Sequence, residues 1–129
     1  MSYYDRAVYF NVLEGKTLTK INGKSSDDVL QFIVSDTESY TMDHDQDCCE
    51  QVRIEDICGD LDDLIGYPIL QAEEVSNECE PSGYEYAESY TWTFYKIATI
   101  KGSVTIRWLG ESNGYYSESV SFNKDYYEA

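Results

Sequence analysis

Residues 88–122 read ESYTWTFYKIATIKGSVTIRWLGESNGYYSESVSF, and this stretch decides the fold. Tyr90, Trp92, Phe94, Ala98 and Ile100 alternate with Thr91, Thr93, Tyr95 and Thr99. A period of two defines a strand, interrupted on the first set only by Lys96. Lys101-Gly102 reads as a tight turn. Val104, Ile106 and Trp108 then oppose Thr105 and Arg107 on a second strand. Asn113-Gly114 supplies a second turn, because both residues accept positive φ. Tyr116, Val120 and Phe122 alternate with Ser117, Ser119 and Ser121 on a third strand. The stretch predicts an antiparallel meander.

Upstream segments follow the same style. KTLTKI (16–21), VLQFIV (29–34), SYTMDHD (39–45) and EQVRIEDI (50–57) read as strands. One short helix is expected at 60–65. Asp60 is a good N-cap, Asp62 and Asp63 suit the positive end of the helix dipole, and Gly66 stops it. YPILQAEEV (67–75) returns as a strand with Pro68 at its start. Residues 76–88 read as a long polar loop. The expected fold is mainly β: an antiparallel small sandwich or partly open barrel with one short helix, α+β being the fallback. Trp92, Phe94, Ile106, Trp108, Val120, Phe32, Val34, Val52 and Ile54 are the expected core. A single domain spans 1–129, with 1–12 and 123–129 as flexible or appended ends.

The formal net charge is -16, and its distribution is uneven. Residues 36–88 hold 17 acidic residues and one basic residue, Arg53, which accounts for the whole imbalance; the remainder has 8 of each. Such a field repels nucleic acid and anionic membranes and attracts basic partners. The N-terminus lacks the apolar run of a secretory signal, and no apolar run is long enough to span a bilayer. A cytoplasmic protein with reduced cysteines is therefore expected.

DHDQDCCEQVRIEDICGD (43–60) gathers the only histidine and three of the four cysteines. Asp43, Asp45 and Asp47 match the first ligands of a calcium loop. The glycine and glutamate that such a loop needs are replaced by Cys48 and Ile54. Zinc could draw on His44, Cys48, Cys49 and Cys58, but adjacent cysteines followed by one nine residues on is not zinc spacing. A catalytic thiol needs a basic neighbourhood, and this one is acidic. Neither a phosphate-binding glycine loop nor a basic patch is present. The run therefore reads as an acidic strand-and-turn surface with no cofactor, and no enzyme activity is expected.

HDQDCCEQVRIEDICGDLDDLIGYPILQAEE and TWTFYKIATIKGSVTIRWLGESNGYYSESVSF together resemble a family of small proteins of unknown function, found mostly in bacteriophages and mobile elements. The most specific parts are DCCE, EDICGDLDDLIG and YYSESV, and the resemblance covers roughly residues 13–122. It implies a phage-type protein in a host cytoplasm and carries no site residue. In that setting the charge map points to an acidic, non-enzymatic binding protein. It would inhibit a host nucleic-acid-handling or defence complex by charge mimicry. The contact residues would be Asp43, Asp45, Asp47, Glu55, Asp60, Asp62, Asp63, Glu73 and Glu74. The partner would be a basic host protein or nucleoprotein complex, without direct contact to nucleic acid or membrane. A phage assembly accessory and a ligand-sequestering β protein are the alternatives, and the oligomeric state is left open.

Overall fold

The computed structural model describes residues 7–24, 28–44, 50–79, 89–112 and 118–125. Among the described residues, eight strands form two antiparallel four-stranded sheets packed as a sandwich. The first sheet runs β1 (Lys20–Lys24), β2 (Val29–Ser35), β3 (Glu38–Asp43) and β8 (Ser121–Lys124), in that order. The second holds β4 (Gln51–Cys58), β7 (Gly102–Ser112), β6 (Ser89–Thr99) and β5 (Gln71–Cys79). Among the described residues neither sheet closes on itself, and the two sheets make the expected small sandwich.

Alternation places the core. Leu30 and Phe32 of β2 pair with Met42 and Tyr40 of β3, and Phe122 of β8 pairs with Met42. All five are buried. Across the sandwich, Ile54 pairs with Trp108 and Tyr95 with Ile106, again with all four side chains buried. Trp108 donates its indole N–H to the sulfur of Met42 at 3.2 Å, joining the two sheets. Val34 and Val120 are partly buried against this core.

The expected core needs one correction. On β6 the inward set is Thr93, Tyr95, Ile97 and Thr99, and Trp92 and Phe94 lie half-buried on the outer face. The turn explains why. Thr99 pairs with Gly102, so Phe94 stands beside Arg107 and Tyr95 beside Ile106. Turning Trp92 and Phe94 inward would have buried Arg107 and Lys96 with them. An unpaired buried charge costs more than two half-exposed aromatic rings.

The meander expectation is also corrected. β6 and β7 form the expected hairpin, but β8 pairs with β3 in the other sheet. Of the expected strand at 115–122, residues 115–117 lie outside the described residues, as does the expected Asn113-Gly114 turn, and of 118–122 only Ser121 and Phe122 are strand, within β8. The short helix is a single 3-10 turn, Leu61–Leu64. β5 continues to Cys79, into what was expected to be loop.

Part of the expected N-terminal tail belongs to the core. A 3-10 turn, Phe10–Leu13, buries both Phe10 and Leu13. The Phe10 ring lies edge-on 4.8 Å from Tyr95 in one sheet and 5.1 Å from Phe122 in the other. It is a plug between the sheets. The following residues cover the edge of β5. Ala72 N–H donates to the Glu14 carboxylate, and Gly15 N–H donates to the Ile69 carbonyl at 2.8 Å. At the other end, Asn123 and Lys124 complete β8. Asp125 accepts from Ser39 at 2.7 Å and Thr41 at 2.8 Å.

Phe10→Ala is expected to destabilise the protein by about 3–5 kcal/mol in urea denaturation, as for other buried aromatic truncations. A loss below about 1 kcal/mol would mean that the segment does not pack in solution.

A second expected outcome concerns pH. The Lys16 ammonium, 2.6 Å from Glu38, and then the Tyr40 hydroxyl hold the Glu38 carboxyl below its ordinary range. A depressed folded-state value gives stability that is present above the unfolded carboxylate value and lost as pH falls through the folded one. Lys16→Met should therefore destabilise the protein near neutrality. The difference from wild type should shrink in acid, measured by urea denaturation across a pH series.

Candidate functional site

Chemistry-bearing residues gather at the two ends of the sandwich and on the outer face of the second sheet. The first end is built from the β4–β5 connection. Gly59 turns the chain at φ 108°, and a side chain there would meet the Ser103 carbonyl. Asp60 then caps the 3-10 turn, its carboxylate accepting the Asp62 N–H at 2.9 Å. Leu64 is buried and anchors the turn in the core. Asp60 and Asp62 are therefore held outward, in solvent. Asp63 faces the β6–β7 hairpin: its carbonyl accepts the Thr99 hydroxyl, and its carboxylate fills the space beside Gly102 where a Cβ would stand.

Three large apolar side chains surface at this same end. Ile100 is 76% exposed, Leu70 66% and Tyr67 38%. They are neighbours through the backbone. Leu70 N–H donates to the Ala98 carbonyl at 2.8 Å, two residues before Ile100. The Lys101 ammonium lies 5.6 Å from the centre of the Tyr67 ring. Sequence reasoning missed all three. The available signal was an isoleucine beside a predicted turn and a leucine out of phase with its strand.

The opposite end is sealed and polar. His44 Nε2 lies 2.7 Å from a Glu50 carboxylate oxygen, and Nδ1 lies 2.7 Å from the Ser119 carbonyl. The Glu50 side chain has no exposed surface, and that of His44 has 5%. Glu118 lies against Gly110, where a side chain would meet the Glu118 carbonyl at 2.6 Å. It accepts hydrogen bonds from Thr91, at 2.9 Å, and from Ser112. These groups clamp the chain on either side of 45–49 to the chain leading into β8. The Glu50, Ser112 and Glu118 side chains among them are buried.

The outer face of the second sheet carries matched charges. Arg53 contacts Glu55 at 3.2 Å and Glu111 at 3.4 Å, and Arg107 contacts Asp56 at 3.0 Å. Arg107 also lies 5.1 Å over Trp92, which stacks on Phe94 at 6.2 Å between ring centres. Such half-exposed pairs contribute little to stability, but they neutralise much of the charge on β4.

The seven expected contact residues that are described do not form one face. Asp60, Asp62 and Asp63 come together at the first end. Glu73 is exposed on the outer side of β5, opposite Lys96. Glu55 stands at a bulge in β4, beside Arg53. Glu74 is tied to the buried Tyr95 hydroxyl at 2.9 Å; burial, then the Glu74 charge, push that phenol up. Asp43 closes β3 in the other sheet, opposite Ser121. Asp45 and Asp47 lie outside the described residues, as do Cys48 and Cys49. Of the expected metal candidates, His44 and Cys58 are described. They flank β4 from opposite ends, roughly 25 Å apart for a strand of this length, and cannot hold one ion. Among the described residues no group of three or more His, Cys, Asp or Glu is arranged to hold a metal.

The fold and this site define a class: an open antiparallel β-sandwich with an acidic and apolar tip. Among the described residues no helix is long and apolar enough to cross a membrane. Residues 11–122 match the family described as Domain of unknown function (DUF7448), and the chain belongs to that family. No curated protein and no solved structure matches it.

His44→Ala removes both ring contacts from the sealed end. It is expected to cost about 1–3 kcal/mol, the range for leaving a buried polar group without its partner. Hydrogen exchange should show faster opening at residues 118–122 than at the Ile106–Trp108 centre. Uniform change across both regions would show that the clamp is not local.

Proposed function

We propose that the protein is a non-enzymatic binding protein that engages a basic partner protein through fixed carboxylates. One observation supports this reading above the others. Among the described residues, the stretch of the acidic segment from Gln51 to Cys79 forms β4 and β5, the two edge strands of the second sheet, with the 3-10 turn between them, while Glu38 and Asp43 belong to the first sheet. Asp60 and Asp62 are exposed on that turn, and Glu73 and Glu74 on β5. The arginines of this sheet are already engaged by Glu55, Glu111 and Asp56. Asp60 and Asp62 of the turn take part in none of those ion pairs and stand exposed.

Charges on a packed turn bind with little ordering cost, because the backbone that carries them is already fixed. Their field steers a cationic surface on approach and repels duplexes and anionic lipid. In the phage setting implied by the sequence resemblance, the partner is a host nucleic-acid-handling or defence complex. Its basic groove would be occupied in place of a phosphate backbone.

Immobilised protein is expected to capture a basic protein from a bacterial lysate at low salt and to release it as salt rises. Replacing Asp60, Asp62 and Glu73 together by their amides should weaken capture about ten-fold, from a few tenths to 1 kcal/mol per exposed charge pair. Capture that salt leaves unchanged, or no capture at low salt, overturns the reading.

A further inference from the structure

Charge alone does not explain the tip. Ile100 and Lys101 are the two turn residues of the β6–β7 hairpin, closed by the Thr99–Gly102 pair. Such positions favour glycine, asparagine or aspartate. Instead a β-branched apolar residue stands there, 76% exposed. Leu70 is flanked by Ile69 and, two residues on, Ala72; both are buried while Leu70 is 66% exposed. Neither residue packs the core, and neither is needed for the turn. Single exposed apolar residues are ordinary on protein surfaces; three adjoining ones framed by charge mark an interaction surface.

The frame tells what kind of partner fits. Asp60 and Asp62 are exposed on the turn that packs against this hairpin, and Glu73 is exposed three residues beyond Leu70. Lys101, a cation of the patch, lies over Tyr67. A second copy of the chain would bring like carboxylates face to face, and an anionic bilayer would be repelled. A segment with apolar side chains between lysines or arginines meets both features at once. Its apolar groups cover Ile100, Leu70 and Tyr67, and its cations reach Asp60 and Asp62.

We infer that the tip formed by Tyr67, Leu70, Ile100, Asp60 and Asp62 is a docking surface for a basic segment of a partner protein that also carries apolar anchors. The inference rests on the binding reading above and gives it a place and a chemistry. The apolar side chains supply affinity, through area removed from water. The carboxylates select the sign of the partner and speed encounter.

The test uses the full chain, isotope-labelled for NMR, and two synthetic peptides of equal length and charge. One alternates lysine with leucine, the other lysine with serine. At low salt the leucine peptide should shift the amide signals of Tyr67, Leu70, Ile100 and Asp62. It should bind at least about ten-fold more tightly than the serine peptide, as expected for burying one or two large apolar side chains. Leu70→Ser and Ile100→Ser should each remove most of that advantage and leave the serine peptide's weak binding unchanged. Both residues are exposed, so an unaltered circular dichroism spectrum should confirm that the variants fold.

Equal binding of the two peptides overturns the inference and leaves the electrostatic reading standing. So do signal shifts confined to Arg53, Glu55 and Glu111, away from the tip. No binding of either peptide at low salt overturns both. Concentration-dependent self-association in sedimentation, abolished by Ile100→Ser, assigns the patch to a second copy and overturns the present assignment.

Discussion

An indole N–H in an apolar interior must find an acceptor, or its burial costs about 1–3 kcal/mol. Trp108 meets this requirement across the sandwich, donating to the Met42 sulfur at 3.2 Å. The rest of the structure depends on that contact and the packing around it. Trp108 stands on the second of four strands in its sheet, and Met42 stands between β2 and β8 in the other. A sheet spacing of about 10 Å leaves room for one layer from each inner face. Phe10 fills the same layer further along, touching Tyr95 of one sheet and Phe122 of the other. Once these side chains are seated, the pleat fixes what each strand turns outward. That is how a core contact determines which residues surface at the tip.

The same rule separates what was legible in the sequence from what was not. The strands, their antiparallel sense and the inward face of β7 follow from period-two alternation and turn residues. The face of β6 does not, because both of its faces are apolar enough to be buried. A two-residue turn pairs odd positions of one strand with even positions of the next, as Thr99 pairs with Gly102. Ile106 and Trp108 could not then share the interior with Trp92 and Phe94. Lys96 carried the information, since it marks the Trp92 face as the wet one. The partner of β8 was hidden for another reason. Short-range pattern does not say whether a strand after a turn stays in its sheet or crosses over, and here it crosses to β3. Phe10 was hidden because a short 3-10 plug has no long-period signal.

The charge map was legible as a composition and illegible as a surface. The acidic segment supplies two edge strands, and pleating sends Glu73 and Glu74 to opposite sides of one of them. Acidic edges also have a plain structural use. Charged side chains on an edge strand discourage pairing with another chain, and Glu14 with the N-terminal segment covers part of β5 as well. This accounts for Glu55 and Glu73 without any partner. It does not account for Ile100 and Leu70, because exposed apolar groups promote the association that acidic edges suppress. The tip therefore sets two opposed tendencies side by side, and selective binding needs both: attraction to a suitable partner and rejection of the rest.

Rigidity decides whether such a tip can discriminate. The Asp60 carboxylate is tied back to the Asp62 N–H, the Asp63 carbonyl takes the Thr99 hydroxyl, and Leu64 is sunk in the core. The carboxylates of Asp60 and Asp62 thus stand on a backbone that the core holds, at a set distance from the β6–β7 turn. A flexible acidic tail of equal charge would attract the same cations but would lose ordering entropy on binding and would accept almost any spacing. A fixed array accepts only partners whose apolar and cationic groups arrive at matching intervals. Gly102 leaves room for the Asp63 side chain beside the hairpin. A Cβ at that position would fall 2.9 Å from the Asp63 carboxylate. The Asp63 carboxylate would swing aside, and the turn would keep the Thr99 hydroxyl on the Asp63 carbonyl and Leu64 in the core.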